Sequence, residues 1–399
     1  MDKFDKVICE ISLKTDSKIV LLVIDGLGGL PLNGKTELEA AHTPNLDKLA
    51  EKSITGMTIP CAPGITPGSG PGHLALFGYD PFEYEIGRGV LEALGVDLTL
   101  TPRDVAIRGN FATVKDGKII DRRAGRISTE LNKKICKRLQ DAIKEIDGVE
   151  IIIHHGKEHR FVLVLRGDGL DARVKETDPQ KVGVPPIKCE PLVKEAEFTA
   201  KIIQKFIEKA TKLLEPPANY PLLRGFAKYP DIPSMQEKYK LTPAAIATYP
   251  MYRGLARLVG MDILNTGPLL KDQIATLKAN FEKYDFFYFH VKRTDSMGED
   301  GNYDGKVALI EEVDKIIPEI LSLNPSVFVV TADHSTPAIL KSHSWHPNPF
   351  LLYSKYIIPD NTKRFTELEC SKGYLGQFPQ RYAMSLMLAH ALKLKKYGA

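Results

Sequence analysis

The sequence predicts an α/β protein in which helices sandwich a mostly parallel sheet and a smaller α/β domain is inserted into the chain. Two observations indicate this fold class. Short runs of β-branched and aromatic residues alternate with segments of helical spacing. A Pro- and Arg-rich stretch with strand-like runs of its own interrupts this alternation. The length of 399 residues suits two or three domains.

Three apolar runs are the predicted central strands, namely Ile19–Ile24, Phe286–Val291 and Val327–Thr331. Runs that are apolar on both faces are typical of parallel strands covered by helices. We expect helices between them, at Leu46–Glu51 after a Pro-Asn pair and at Lys306–Leu321, where apolar residues recur at helical spacing.

The chain is expected to form two domains, of which the first is discontinuous. Residues 1–81 and 240–399 contain the three strands, whereas residues 82–239 have the different composition. The run Phe161–Leu165 predicts a strand inside this second region. We therefore expect a core domain that is split by an insert.

An aspartate follows each central strand: Asp25, Asp295 and Asp333. Ligands of a parallel sheet bind at the carboxyl ends of its strands, so these carboxylates should lie at one edge. Such carboxylates repel one another unless a cation neutralises them. Each aspartate alone could instead cap a helix or form a turn. The three together, with histidines beside them, favour a metal site.

Further candidate ligands lie close to these aspartates in the sequence. Asp295 and Glu299 would share one face of a helix, His334 follows the third aspartate, and His343 lies shortly after it, with His346 as an alternative. Oxygen and imidazole ligands without a thiolate suit Mn²⁺, Zn²⁺ or Mg²⁺.

Ser69 is a candidate nucleophile, because it stands in the Gly/Pro-rich segment Pro67–His73 ahead of an apolar, helix-capable run. At a helix N-terminus its hydroxyl would lie among N–H groups that favour an incoming anion. The alternative is an ordinary loop in which Ser69 caps the helix. No base is evident nearby, and activation by a metal ion, which lowers the pKa of the hydroxyl, would remove the need for one.

The segment Gly29–Thr36 matches the phosphate-binding P-loop pattern and follows a strand. However, Pro31 lacks an N–H where such a loop needs donors, and Pro44 would cut the following helix short. On these residues alone the P-loop is a minor alternative.

Arginines concentrate in the insert, most densely in Asp121–Arg126. Guanidinium groups bind phosphate and carboxylate in a bidentate way, so this composition suits a small dianionic substrate. Surface ion pairs are the alternative for several of them. RNA binding is disfavoured because interleaved aromatic residues are missing, and a net charge of +4 does not suggest a nucleic-acid partner.

Composition also bounds the environment of the protein. The longest apolar runs are too short to cross a bilayer, which argues against a membrane partner. The five cysteines include no CxxC pair, which argues against a zinc ribbon or a disulfide scaffold. We expect a cytoplasmic protein and leave its oligomeric state open.

Together these motifs resemble the cofactor-independent phosphoglycerate mutases of the archaeal type, within the alkaline phosphatase superfamily. The resemblance runs nearly end to end. It rests on Leu21–Gly28, Thr43–Ala50, Gly68–Ser69 with Phe77–Pro81, Phe111–Thr113 with Asp121–Arg126, and Thr331–Pro337. It implies an alkaline-phosphatase-like fold and makes Gly29–Thr36 an ordinary stretch of the family. The implied enzyme is an isomerase of glycolysis and gluconeogenesis that interconverts 3- and 2-phosphoglycerate without 2,3-bisphosphoglycerate.

The resemblance further implies two divalent metal ions in the core domain, with Mn²⁺ as the first choice and Mg²⁺ or Zn²⁺ as alternatives. One ion would be held by Asp25, Ser69, Asp333 and His334, and the other by Asp295, Glu299 and His343. The family usually has histidine at position 299. Glutamate adds a negative charge there and shifts the preference toward harder ions such as Mn²⁺ or Mg²⁺.

In this scheme Ser69 forms a phosphoserine intermediate and Asp121 is a second catalytic residue. Substrate would be held by Arg122, Arg123, Arg126 and Arg160 of the insert and by Lys292. The alternatives are a metal-dependent phosphatase, another phosphomutase of the superfamily, or a catalytically silent metal-binding protein. Two positions depart from the family's pattern: Glu299, and Gly70-Pro71, where many relatives have Asp-Thr. Either departure is compatible with a different phosphorylated substrate.

Overall fold

The structure is a computed structural model that describes residues 2–398. They form two compact units. One contains the chain up to Glu85 and from Ile232 onward, and the other is Ile86–Asp231. The boundaries expected from the sequence, at 81/82 and 239/240, differ from these divisions by four and eight residues. Among the described residues, no helix combines the length and the apolar character that a membrane crossing requires.

The strands follow one another along the chain with short and long connections between them. They are β1 (Ile19–Ile24), β2 (Ile54–Ile59), β3 (Asp104–Lys115), β4 (Lys118–Asp121), β5 (Glu145–Ile146), β6 (Val149–His155), β7 (Arg160–Arg166), β8 (Tyr220–Lys228), β9 (Pro243–Ile246), β10 (Asp262–Ile263), β11 (Phe286–Val291), β12 (Val327–Thr331), β13 (Asn348–Ser354) and β14 (Gly376–Pro379).

The α-helices alternate with these strands. They are α1 (Lys3–Ile11), α2 (Glu37–Ala40), α3 (Pro44–Ala50), α4 (Ser69–Leu76), α5 (Arg88–Gly95), α6 (Thr129–Ala142), α7 (Glu197–Leu213), α8 (Met235–Tyr239), α9 (Pro250–Leu258), α10 (Leu270–Asn280), α11 (Arg293–Glu299), α12 (Tyr303–Asp314), α13 (Ile317–Leu321), α14 (Glu367–Cys370) and α15 (Ala383–His390). Short 3₁₀ turns lie at Ala124–Arg126, Lys194–Ala196 and Gln380–Tyr382.

The first unit is built on one sheet, whose order within the described residues is β10-β9-β11-β1-β12-β13-β2-β14. Neighbouring strands are parallel except at β13, which runs antiparallel to β12 and to β2. At the centre, β1 pairs with β11 and β12, and every residue of the three strands is buried. This confirms the predicted fold class, and the three strands have the predicted bounds.

The helices of the first unit complete its core. Apolar residues of α3, α10, α12 and α13 pack with side chains of β1, β11 and β12 in one continuous cluster. The predicted helix Lys306–Leu321 is wrong as a single element, because α12 ends at Asp314 and α13 begins at Ile317. Pro318 explains the break, since it has no N–H to continue the α12 ladder and is favoured in the first turn of a new helix.

The second unit is an antiparallel sheet of order β4-β3-β7-β6-β5, in which β8 also pairs with β3. The predicted strand Phe161–Leu165 lies within β7. Helices α6 and α7 bury their apolar stripes in the same core as the strands, through residues such as Leu139 and Phe206. Because each element contributes one apolar stripe, this contiguous segment has a hydrophobic core of its own.

Candidate active site

Four segments of the first unit bring candidate ligands together. Asp25 follows β1, Asp333 and His334 follow β12, and Asp295 lies in the first turn of α11, directly after β11. Because β1, β11 and β12 are parallel neighbours, their carboxyl ends lie side by side. Ser69 is the first residue of α4. The two loops and the two helix starts thus surround one edge of the sheet.

The first candidate metal cluster is formed by Asp25, Asp333 and His334, all fully buried. One ligand atom of each lies within 4.8 Å of the others. His334 Nε2 is 3.0 Å from Asp333 Oδ2 and 3.5 Å from Asp25 Oδ1. The Oγ of Ser69 lies 3.5 Å from the same Nε2 atom. The structure therefore places the candidate nucleophile beside this cluster.

The second candidate cluster contains Asp295 and His343, and it also includes His334. His343 Nε2 is 3.5 Å from Asp295 Oδ1, and its Nδ1 donates a hydrogen bond to the carbonyl oxygen of Pro67 at 3.0 Å. Glu299 is on the same helix as Asp295, and its Oε1 is 3.8 Å from His343 Nε2. Its side chain is half-exposed at the rim of the cluster.

The alternative ligand His346 is not part of either cluster. Its Nδ1 lies 3.1 Å from the hydroxyl of Ser344. Burial lowers the pKa of its imidazole. Of the two histidines in this loop, His343 is therefore the one that the structure places beside Asp295.

The carboxylates give this site a strong preference for positive charge. Burial by itself would lower the pKa of His334, but Asp333, Asp25 and Asp295 raise it to about 9. Burial would likewise raise the pKa of Asp333, yet the neighbouring imidazoles hold it well below its ordinary value. The site therefore holds a proton on His334 that a divalent cation could replace.

Lys292 supplies a second positive charge. Its Nζ forms an ion pair with Asp295 and lies 3.5 Å from Asp25 Oδ2. Burial would lower the pKa of this ammonium group, but the two aspartates raise it above its ordinary value. Lys292 thus bridges carboxylates that belong to different clusters.

The residues present fit divalent cations. Asp25 Oδ1 is buried and accepts no hydrogen bond from any residue that the structure describes. Buried carboxylate oxygens are normally paired, so this atom, 3.5 Å from His334 Nε2, indicates a missing positive partner. A set of carboxylate, hydroxyl and imidazole donors suits Mn²⁺, Mg²⁺ or Zn²⁺.

Sequence comparison decides the family. The protein is 55% identical to a chain of Aquifex aeolicus that is described as a probable 2,3-bisphosphoglycerate-independent phosphoglycerate mutase. The alignment covers 98% of this chain and 100% of that one. This chain belongs to the 2,3-bisphosphoglycerate-independent phosphoglycerate mutase family. The resemblance drawn from the sequence motifs is thereby confirmed.

Other comparisons agree with this assignment. A sequence model of the 2,3-bisphosphoglycerate-independent phosphoglycerate mutase family matches residues 50–219. A relative from Thermus thermophilus with the same description is 54% identical over the full length of both chains. The solved structure of a cofactor-independent phosphoglycerate mutase from Thermoplasma acidophilum is 31% identical, with a TM-score of 0.80, and the alignment covers 94% of this chain and 100% of that one.

Several residues of this family member surround the clusters although sequence reasoning did not single them out. The Tyr252 hydroxyl donates a hydrogen bond to Ser69 Oγ at 3.3 Å. His290 Nε2 donates to Asp25 Oδ2 at 3.1 Å. His73 Nδ1 donates to the carbonyl oxygen of Ser69 at 2.8 Å and lies 3.2 Å from Asp333 Oδ2. Burial, with help from the nearby aspartates, raises the pKa of Tyr252 well above its ordinary value, so its hydroxyl keeps its proton.

The segment that matches the P-loop pattern is occupied by the protein's own carboxylate. Glu367 Oε1 accepts a hydrogen bond from the N–H of Gly29 at 2.9 Å, and Oε2 accepts one from the hydroxyl of Thr36 at 2.7 Å. The helix that follows, α2, has only four residues. A phosphate cradle followed by a full helix is therefore not formed here.

The second predicted catalytic residue, Asp121, lies in the other unit of the mutase-family chain, at the end of β4. Its carboxylate accepts hydrogen bonds from the backbone N–H groups of Arg123 and Gly125, at 2.7 Å each. Arg122 forms a bidentate pair with Asp178, at 2.9 and 2.6 Å. Asp121 thus organises the turn that carries the predicted substrate arginines.

The remaining predicted arginines are solvent-exposed: Arg123, Arg126 and Arg160. Arg160 begins β7 and contributes to a positive field around the buried Arg108. Burial lowers the pKa of Arg108, whereas Glu92, 3.0 Å away, raises it. Nearby arginines, including Arg160, lower the pKa of Arg108 further. Arg108 and the arginines near it, namely Arg88, Arg160 and Arg224, form a basic group. Arg108 was not among the predicted substrate residues.

Proposed function

We propose that this protein interconverts 3-phosphoglycerate and 2-phosphoglycerate through a phosphoserine at Ser69, without 2,3-bisphosphoglycerate. One observation carries the proposal. The Ser69 hydroxyl lies at the N-terminus of α4 and 3.5 Å from His334 Nε2, next to a buried cluster of carboxylates. A phosphoryl group that approached Ser69 would thus meet helix N–H groups on one side and the candidate metal ligands on the other.

Two divalent ions, Mn²⁺ in our proposal, belong to this site. We assign one ion to Asp25, Ser69, Asp333 and His334, and the other to Asp295, Glu299 and His343. When bound, such ions lower the pKa of a hydroxyl and neutralise charge on the transferred phosphoryl group. The buried Asp25 Oδ1, which accepts no hydrogen bond from any described residue, supports this assignment.

The reaction that follows from these positions has two transfers. Ser69 Oγ attacks the phosphorus of 3-phosphoglycerate, and the bond between phosphorus and the substrate O3 breaks as the bond to Oγ forms. The proton of the Ser69 hydroxyl passes to the released O3. The glycerate stays bound, its 2-hydroxyl then attacks the phosphoserine, and the proton of that hydroxyl returns to Ser69 as the bond between phosphorus and Oγ breaks. Lys292 would hold the phosphoryl oxygens, since its half-buried ammonium lies 3.5 Å from Asp25 Oδ2 beside the cluster.

For the anionic part of the substrate we propose Arg122, Arg123, Arg126 and Arg160, together with Asp121. Their exposure and the basic group around Arg108 support this proposal. Arg122 would act while bound to Asp178, which holds its guanidinium in one orientation. We place the enzyme in the cytoplasm, as expected for an enzyme of glycolysis and gluconeogenesis.

The deciding experiment is a coupled assay. Purified protein is incubated with 3-phosphoglycerate and Mn²⁺ in the absence of 2,3-bisphosphoglycerate, and 2-phosphoglycerate is followed through enolase. We expect turnover that EDTA abolishes and Mn²⁺ restores. Absence of 2-phosphoglycerate contradicts the mutase proposal. Release of free phosphate in its place identifies a phosphatase.

A further inference from the structure

Within residues 2–398, His334 is the one histidine that both candidate clusters include. Its Nε2 lies 3.0 Å from Asp333 Oδ2, whereas its Nδ1 lies 4.0 Å from Asp295 Oδ1. A neutral imidazole has one N–H and one free lone pair, so only one of these nitrogens can ligate a metal. The partner of the other nitrogen decides which one.

Thr336 is that partner. Its Oγ1 lies 2.6 Å from Asp295 Oδ1 and 3.0 Å from His334 Nδ1, in a fully buried position. An ionised carboxylate can only accept, so the single hydroxyl proton is donated to Asp295. The Oγ1 lone pair then accepts a hydrogen bond from Nδ1–H of His334, and Nε2 keeps its lone pair.

We propose that Thr336 is a positioning residue that fixes His334 in its Nδ1–H form and thereby assigns it to the metal position of Asp25 and Asp333. The proposal rests on the metal site described under Proposed function. It leaves Asp295, Glu299 and His343 as the other ligand group. His343 has the same orientation, since its Nδ1 donates to the carbonyl of Pro67.

The backbone of Thr336 is held firmly enough for this role. Its N–H donates to the carbonyl oxygens of Gly28 and Gly26, at 3.1 and 3.3 Å. Its own carbonyl oxygen accepts a hydrogen bond from the buried ammonium of Lys306 at 2.9 Å, and the same ammonium donates to the Gly28 carbonyl oxygen at 3.2 Å. Thr336 therefore cannot shift without breaking a charge-assisted bond.

Close packing also restricts the hydroxyl. A Cβ on Gly26, whose φ is +66°, would lie 2.6 Å from Thr336 Oγ1. A Cβ on Gly298 would lie 2.2 Å from the Thr336 carbonyl oxygen. Both approaches are available only to glycine. Through these two contacts the loop that carries Thr336 packs against the segment after β1 and against α11. Asp25 lies in the first of these elements and Asp295 in the second, so Thr336 contacts the elements that carry both ligand groups.

The first test compares two substitutions at this position by calorimetric titration of the metal-free protein with Mn²⁺. Thr336→Val keeps the shape and removes the hydroxyl, and we expect its affinity to fall by about 10- to 100-fold. Thr336→Ser keeps the hydroxyl and is expected to bind within about threefold of the wild type. Thr199→Val is the control, since Thr199 is a buried threonine of the other unit whose hydroxyl accepts the N–H of Asp171.

A second readout observes the tautomer directly. In the Zn²⁺-loaded wild-type protein with ¹⁵N-labelled histidine, we expect His334 to show a protonated Nδ1 and an unprotonated Nε2. The signals are assigned by their loss in His334→Gln. This measurement uses the wild-type protein, so it decides the question even if Thr336→Val does not fold.

The outcomes separate this inference from the proposed function. A protonated Nε2 on His334, or Thr336→Val with wild-type metal affinity, overturns the role of Thr336 while the mutase proposal stands. The role is also overturned if Thr336→Ser loses metal as Thr336→Val does, because shape and not the hydroxyl would then matter. If the wild-type protein binds no divalent ion and shows no turnover, the proposed function itself has failed.

Discussion

The imidazole rings of His334 and His343 are stacked, with centroids 3.6 Å apart and planes inclined by 24°. The first ring contacts Asp333 and the second contacts Asp295, so the stack joins the two candidate metal clusters. A neutral imidazole is the form in which histidine binds a metal, so a divalent ion beside this stack would replace the proton that the carboxylates hold on His334.

Replacement of Ser69 by alanine tests the nucleophile. We expect Ser69→Ala to lower kcat by at least about 10³-fold, because no other hydroxyl can form the phosphoserine. Ions bound near Asp295 and His343 should be retained. The measurement is the enolase-coupled rate, combined with metal analysis of the dialysed protein.

The control for this variant is Ser371→Ala. Ser371 is exposed, and its hydroxyl donates only to the carbonyl oxygen of Leu368. This control should keep the wild-type rate. A Ser69→Ala enzyme with more than a tenth of wild-type turnover would show that the phosphoryl group does not pass through Ser69.

Glu299 is expected to set the metal preference of the site. Its carboxylate lies 3.8 Å from His343 Nε2. Glu299→His replaces an oxygen donor by a nitrogen donor, so we expect affinity for Zn²⁺ to rise relative to Mn²⁺ and Mg²⁺ by about tenfold. Competitive metal titrations measure this ratio.

The same substitution at Glu282 provides the control, because the side chain of Glu282 is 91% exposed and lies at the opposite end of β11. Glu282→His should leave the Zn²⁺/Mn²⁺ ratio unchanged. An unchanged ratio in Glu299→His would mean that position 299 contributes no ligand.

Lys292 should affect metal binding and catalysis in opposite directions. Its ammonium lies 3.5 Å from Asp25 and pairs with Asp295, so it competes with a cation for the same carboxylates. We expect Lys292→Gln to tighten Mn²⁺ binding by about tenfold, since one nearby positive charge is lost. The same variant should lose turnover, because the phosphoryl group loses a positive partner.

Calorimetry and the coupled assay measure the two effects on one preparation. Lys52→Gln, an exposed lysine of the same unit, should change neither. Weaker Mn²⁺ binding in Lys292→Gln would indicate that Lys292 supports the metal site and does not compete with it.

The Asp178–Arg122 pair predicts a pH-dependent stability. Burial would raise the pKa of Asp178, but hydrogen bonds and charges, Arg122 first among them, lower it below its ordinary value. A lowered pKa stabilises the folded protein above the unfolded pKa, and this stabilisation is lost as the pH falls through the folded pKa. Asp178→Asn should therefore lose about 1.5–3 kcal/mol of unfolding free energy at neutral pH.

The loss should begin to shrink as the pH falls below about 4, where the carboxylate of the unfolded chain takes up a proton, and it should vanish as the pH falls through the lower folded pKa. Thermal unfolding at a series of pH values measures it. Asp168→Asn is the control, since Asp168 pairs with Arg103 at the surface and its side chain is 85% exposed. A difference between wild type and Asp178→Asn that stays constant down to acidic pH would refute the electrostatic cause.

The central strands could be predicted from the sequence because the information for them is local. Every residue of Ile19–Ile24 is apolar and every one is buried, so the pattern itself marks the strand. The aspartate after each such strand could be placed at the sheet edge by topology alone. This reasoning accounts for how Asp25, Asp333 and His334 come together.

The partners of these residues could not be predicted in the same way. Tyr252 reaches Ser69 from α9, and Asp178 reaches Arg122 from a loop, so both pairings depend on how distant segments pack. Thr336 is close to His334 in sequence, but its role depends on the position of Asp295 on another element. Pro318 is a local signal for the end of a helix, but the apolar residues on either side of it continue the helical spacing, so a single helix was predicted.

The position of β1 between β11 and β12 has a consequence for synthesis of the protein. A ribosome releases the N-terminal part of a chain first, and domains tend to fold as units when they emerge. The contiguous unit Ile86–Asp231 has all its strands available early, whereas β1 emerges long before either of its neighbours exists. The apolar run that precedes Asp25 must therefore stay unpaired until Phe286–Val291 has been made, and it needs protection from aggregation during that time.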